Sequence, residues 1–175
     1  KDKKSALLSH LILDQEWDQA LIFIETKHGA AKLVSQLGKR GIQAESIHGD
    51  RSQAMHSKIL SEFKSGEIRF LVATGVAARG IDIGDLSRVV NYDLPDQVDD
   101  YIHRIGRTAR AATTGTAITF INERDQRKFQ AIENLIELSL MEADQVREAF
   151  KGRRQNYVRI FQAYKDKLAD RDYSI

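Results

Sequence analysis

At 175 residues with a formal net charge of +2, the chain is long enough for one domain with a real core, and total charge makes no case for a nucleic-acid partner. Hydrophobic residues at 42% and charged residues at 30% fit a folded, soluble protein, and the absence of cysteine excludes disulfide frameworks, thiolate metal sites and cysteine nucleophiles. Apolar runs such as 20–24 are too short to span a bilayer, and no signal-peptide core follows Lys1-Asp2-Lys3-Lys4, so a cytoplasmic protein without membrane contact is the expectation.

Leu7, Leu8, Leu11 and Ile12 recur at helical spacing and predict a first helix over 6–13. Ala20-Leu21-Ile22-Phe23-Ile24 is continuously apolar, the pattern of a strand buried on both faces in a parallel sheet. Helical spacing resumes at Ala31, Val34 and Leu37 and stops at Gly38 and Gly41. A short strand over 44–47 runs into His48-Gly49-Asp50-Arg51, and a helix over about 53–64 buries Met55, Ile59, Leu60 and Phe63. Residues 68–73 form another apolar strand, followed by a loop over 74–83. A fourth strand covers 88–92, a helix 98–105, a fifth strand 115–121 and a closing helix 125–138.

Strand and helix alternate at short intervals without hairpin signals, which implies βαβ units and an open, mostly parallel sheet with helices on both faces. Ligands of such sheets meet the loops at the carboxyl ends of the strands. The polar clusters 25–27, 48–51 and 74–82 fall in those loops by sequence order. The domain is expected over 1–138, with a C-terminal helical extension over 139–175. Ser139-Leu140-Met141-Glu142 has capping-box spacing. Beyond it Tyr157, Phe161, Tyr164 and Leu168 make an apolar seam beside Arg153, Arg154 and Arg159, and Gly152 marks a break between two helices. That seam packs on the domain, meets a partner or a second copy, or extends a nucleic-acid path.

The most informative stretch is His103-Arg104-Ile105-Gly106-Arg107-Thr108-Ala109-Arg110. Its arginines stand three apart, each about 60° round a helix from the last, and no acidic residue lies between Tyr101 and Thr114. Planar guanidinium forks suit phosphate oxygens. Three spaced arginines alone would equally describe a solvated basic face. Gly106 points to a close backbone approach or a nearby helix end.

The pattern His-Arg-x-Gly-Arg-x-x-Arg resembles motif VI of superfamily 2 helicases, in the form of the DEAD-box RNA helicases. Other blocks agree in order and spacing: residues 20–27, ALIFIETK, resemble motif IV; 48–53, HGDRSQ, resemble the loop that opens the next helix; 74–82, TGVAARGID, resemble motif V; and 90–95, VNYDLP, lead into motif VI. The resemblance covers about 5–138. It implies the second RecA-like domain of a DEAD-box ATP-dependent RNA helicase, a three-layer fold that closes on ATP and RNA with a first RecA-like domain of the same parent protein. The phosphate-cradling Gly-Lys-Ser/Thr loop and the Asp-Glu-Ala-Asp motif belong to that first domain and do not occur in this chain. The chain alone is therefore expected to be inactive, with the Mg²⁺ that accompanies ATP held by the other half and no metal ligands expected here.

By resemblance, Arg107 and Arg110 match the arginine fingers that reach the γ-phosphate, and Gly80 and Asp82 match nucleotide-side positions, Asp82 on the ribose. His103 matches the residue that couples the two domains; standing alone it would read as a satisfied buried histidine. Arg104 reads as structural. Thr26, Gly49, Arg51 and Thr74 match positions that meet the RNA sugar-phosphate backbone, with ordinary turn chemistry the competing account of Gly49 and Thr74. Two positions depart from the pattern. Gly75 replaces the usual aspartate and His56 the usual arginine, and both are expected to loosen the internal polar network and the RNA-facing loops. The alternatives to an enzyme half are a binding module without turnover and a DNA helicase of the wider superfamily.

Overall fold

The computed structural model describes residues 2–78, 83, 86–108, 116–122 and 124–142. Its elements are α1 (Asp2–Asp14), β1 (Ala20–Ile24), α2 (Lys27–Gly38), β2 (Ala44–Ile47), α3 (Gln53–Ser65), β3 (Phe70–Thr74), α4 (Gly75–Ala78), β4 (Arg88–Asn91), α5 (Val98–Ile105), β5 (Thr116–Thr119) and α6 (Gln126–Glu142). The strands form one five-stranded sheet in the order β2-β3-β1-β4-β5. Every pair is parallel: Ile22 of the central β1 lies level with Val72 of β3 and Val90 of β4. The expected parallel α/β sandwich is what forms.

The continuous apolar run of β1 has its cause in this placement. All five of its residues are buried, because helices cover both faces of the sheet. Successive side chains of a strand point to opposite faces. Ala20, Ile22 and Ile24 therefore join Leu8 and Ile12 of α1 and Ala30, Leu33 and Leu37 of α2. Leu21 and Phe23 join Ile59 and Phe63 of α3 on the other side. Each such side chain contributes roughly 1.5–3 kcal/mol by leaving water. A third cluster, with Tyr101 and Ile105 of α5 and Phe129 and Ile132 of α6, closes the β5 end.

Local signals set the helix ends. Thr26 caps α2 by accepting the Gly29 amide at 3.0 Å, and Ser52 caps α3 by accepting the Met55 amide at 3.3 Å. The α3 helix stops at Gly66, whose φ of 83° is left-handed and favours glycine. Gly106 caps α5 at φ −69°, so its role is room and not handedness: a Cβ there would lie 3.1 Å from the Ile102 carbonyl oxygen.

The structure differs from the sequence expectations at several places. Met55, expected to be buried by α3, is 41% exposed, since it lies off the face that carries Ile59 and Phe63. The stretch after β3 opens with one helical turn, α4, where a loop was expected. Ile68 lies before the strand, its amide bonded to the Glu62 carbonyl at 3.0 Å, and β3 extends instead to Thr74. Helix α6 runs unbroken through Glu142, so Ser139 stands inside a helix and does not cap a new one, and residue 138 is not a helix end. The seam from Tyr157 to Leu168 and the break at Gly152 lie outside the described residues.

Candidate functional site

Two groups of candidate side chains emerge, one in a cleft on the α3/α5 face and one along the carboxyl edge of the sheet. The cleft, about 440 Å³, lies between α4 and α5 with Phe23 of β1 beneath it. Its walls are Gly75 and Ala78 on one side and Asp99, Asp100, His103, Arg104 and Arg107 on the other. Positions 100, 103, 104 and 107 are spaced three, four and seven apart, so α5 and the turn after it turn one polar stripe to the cleft while Tyr101 and Ile105 are buried.

Arg104 forms the floor. Its residue is 9% exposed, and its guanidinium donates to the Asp93 carbonyl at 3.1 Å, approaches Asn91 Oδ1 at 3.5 Å, and lies 5.0 Å from the centre of the Phe23 ring. It thus ties α5 to the ends of β1 and β4, which supports the structural reading of this residue. Gly75 faces it: a Cβ on Gly75 would come within 3.2 Å of the guanidinium Nη2. The glycine leaves space for the arginine, so this departure from the family pattern faces the cleft and not the carboxyl edge.

Arg107 is half-buried and its backbone is held from both sides. Its amide donates to the Arg104 carbonyl and its own carbonyl accepts from the Leu86 amide, each at 3.2 Å. The next residue, Thr108, is buried, and its hydroxyl donates to the Leu86 carbonyl at 2.5 Å. A long cationic side chain thus starts from a fixed backbone, the kind of positioning that charge stabilisation requires. His103 is exposed on the cleft rim, so it is not a satisfied buried histidine. Gly80, Asp82 and Arg110 lie outside the described residues.

The expected RNA contacts come together at the carboxyl ends of three adjacent strands: Thr26 after β1, Gly49 and Arg51 after β2, and Thr74 at the end of β3. Thr26 is exposed but engaged as the α2 cap. Gly49 is exposed with open space around its Cα, and its φ is not positive, so turn geometry does not demand glycine there. Arg51 is half-buried, bonded to Ser46 Oγ at 3.3 Å and 3.6 Å from Glu45. Thr74 is buried. Lys27 and Asp50, which fall in the polar clusters 25–27 and 48–51 but were given no role from the sequence, pair across this edge at 2.5 Å. The Lys27 ammonium, by hydrogen bond and then by charge, holds the Asp50 carboxyl below the usual carboxylate range. His56, expected to loosen the loop, instead secures it: its Nε2 donates to the His48 carbonyl at 2.8 Å. Among the described residues no group of three or more His, Asp or Glu side chains gathers to hold a metal, and no helix is long and apolar enough to cross a membrane.

A parallel sheet with this strand order carries a cleft lined by both arginines and carboxylates beside its centre and polar residues along its carboxyl edge, an arrangement in keeping with the expected RecA-like α/β domain. The family described as the helicase conserved C-terminal domain matches residues 2–112. The chain is 43% identical over 155 residues to the DEAD-box ATP-dependent RNA helicase CshA of Bacillus licheniformis, covering 87% of this chain and 32% of that protein. It thus spans about a third of the length of this curated relative. Its fold resembles the E. coli DEAD-box protein SrmB, crystallised with the regulator of ribonuclease activity A, with TM-score 0.66 and 40% identity over 71% of this chain and 73% of that one. It also resembles S. cerevisiae Dbp5 bound to RNA and ADP BeF3, with TM-score 0.69 and 35% identity over 75% of this chain and 35% of that one. The chain belongs to the helicase conserved C-terminal domain family, as the second RecA-like domain of a DEAD-box RNA helicase.

Proposed function

We propose that this chain is the half of an ATP-dependent RNA helicase that closes, with a first RecA-like domain, on ATP and on an RNA backbone to unwind or remodel RNA locally. One observation carries this reading above the alternatives. The chain places a cationic side chain, Arg107, from a fixed backbone into a cleft on one side and gathers Thr26, Gly49, Arg51 and Thr74 at the carboxyl edge on the other. A binding module would need only the edge. The chain's likeness to a protein solved with RNA and a nucleotide analogue supports both halves of the reading.

In that role Arg107, with Arg110, meets the charge that builds on the transferred phosphoryl group, which is the work of arginine fingers. Gly80 and Asp82 hold the nucleoside side, and His103 on the rim couples the cleft to the first domain. Thr26, Gly49, Arg51 and Thr74 meet sugar and phosphate without reading bases. When bound, ATP would supply the phosphoryl group on which Arg107 and Arg110 act. The Mg²⁺ that accompanies ATP is assigned to the first domain, as the resemblance implies. The domain over 1–138 carries this work, the extension over 139–175 offers a partner or second-copy contact, and the protein acts in the cytoplasm.

RNA-stimulated ATP hydrolysis by the parent protein tests the proposal. Turnover that rises with added RNA, and none above the blank from the isolated chain, is the expected pair of results. Turnover by the isolated chain would overturn the division of labour. A parent protein that binds RNA without hydrolysing ATP would leave a binding module.

A further inference from the structure

The cations of the carboxyl edge are not presented freely. Lys27, the first residue of α2, lies with its Nζ 2.5 Å from Asp50 Oδ2, so the pair bridges the loop after β1 to the loop after β2. Its partner at the same edge, Arg51, is drawn back toward Glu45 and Ser46. The Lys27 and Asp50 side chains remain 49% and 60% exposed, and exposed pairs of this kind contribute little to stability. His28 and His48 lie near enough that their protonated forms would also favour the Asp50 carboxylate. A carboxylate and a phosphate are alternative acceptors for one ammonium group. A backbone arriving at Gly49, the neighbour of Asp50, meets Lys27 already occupied and a negative charge beside it.

Resting on the RNA-binding reading above, we propose that Asp50 is a built-in competitor of RNA phosphate for Lys27, so that this edge takes up RNA by exchanging the Asp50 carboxylate for a phosphate. While the exchange is in force, Lys27 adds almost no net charge to the interface. Affinity stays low and its salt dependence shallow, which suits a domain that must release RNA as readily as it grips it. Removing the carboxylate charge frees one cation for the backbone.

The probe is a ten-nucleotide single-stranded oligouridylate titrated into the isotope-labelled 175-residue chain, with the backbone amides of 26–28 and 48–51 followed by NMR at three salt concentrations. Asp50→Asn keeps the shape of the side chain and is expected to tighten binding by about 3–10-fold, the scale of one unit charge at contact distance in exposed surroundings. It should also steepen the slope of log affinity against log salt by about 0.7, the single-strand value for one added phosphate contact. Lys27→Ala should cost little in the native background and should erase the gain in the Asp50→Asn background. Thermal melts of all variants should coincide with that of the native chain. The proposal is overturned if Asp50→Asn binds no better than the native chain, or if its gain survives Lys27→Ala. Failure of these two arms alone leaves the RNA-binding reading standing. Absence of any amide shift in the native chain sinks both.

Discussion

Arg104 and Arg107 are chemically identical and three residues apart, yet their removal should have opposite consequences. Arg104→Ala strips a nine-tenths-buried guanidinium that donates to the Asp93 carbonyl, approaches Asn91 and lies over Phe23. A hydrogen bond from a charged donor is worth about 1.5–3 kcal/mol, and a cation–π contact about 0.5–2 kcal/mol. Truncation also ends the desolvation of the buried charge, which offsets part of the loss. A net cost of about 2–4 kcal/mol follows, and for a chain of this length that lowers Tm by about 5–15 °C. Arg104→Lys should recover little, because an ammonium cannot hold both acceptors and a ring face with one planar fork. Urea and thermal melts of the isolated chain measure this directly. A Tm within about 2 °C of the native value would refute the reasoning, since it would mean that the contacts joining α5 to β1 and β4 carry no weight.

The other perturbations test the two surfaces separately. Gly75→Asp places a carboxylate beside Arg104 in the cleft, so nucleotide affinity of the parent protein should fall while RNA affinity stays within about twofold; a selective change in RNA affinity would put Gly75 on the wrong surface. His56→Ala removes the bond to the His48 carbonyl and should cost about 1 kcal/mol, with faster amide exchange confined to 48–51; an unchanged exchange pattern would mean the histidine does not hold the loop. Lys27→Ala should move the Asp50 pKa upward, read from the carboxyl carbon shift by NMR. Because the folded-state pKa is depressed, the pair is intact at neutral pH and is lost as pH falls through that value. A carboxyl titration indifferent to Lys27→Ala would show that the two groups do not pair in solution.

Much of the fold could be read from the residues because its signals are local. The run 20–24 is apolar at every position since both faces of β1 are covered, and the period of Val98, Tyr101, Ile102 and Ile105 announces α5. The strand order could not be read, because nothing in a strand's own residues states which neighbour it takes. Helix α4 was hidden for another reason: one turn is too short to show a period. The cleft arginines were visible as a pattern, but the division between them was not. That division depends on Phe23 and Gly75, which meet Arg104 only in the folded sheet. Thr26 shows the opposite limit, since its sequence position fits a phosphate contact and a helix cap equally well and the structure gives its hydroxyl the cap. His56 looked like a defect against the usual arginine, and its bond to His48 depends on a loop whose path the sequence does not state.

The most direct measurement is single-turnover hydrolysis by the parent protein with Arg107 replaced, alongside nucleotide affinity and a thermal melt. Arg107 starts from a backbone clamped by Arg104 and Leu86, and its side chain lines the cleft without forming its floor. Arg107→Ala should therefore slow the chemical step by roughly 10³–10⁵-fold, the range for arginine fingers, while affinity for ATP changes far less. Arg107→Lys should fail nearly as badly, because it keeps the charge and loses the fork. The melt should move by no more than a few degrees, as for other side chains outside the core. Equal losses in rate and affinity would make Arg107 a binding residue only, and a large fall in Tm would make it structural; either result would contradict the assignment of this cleft to phosphoryl transfer.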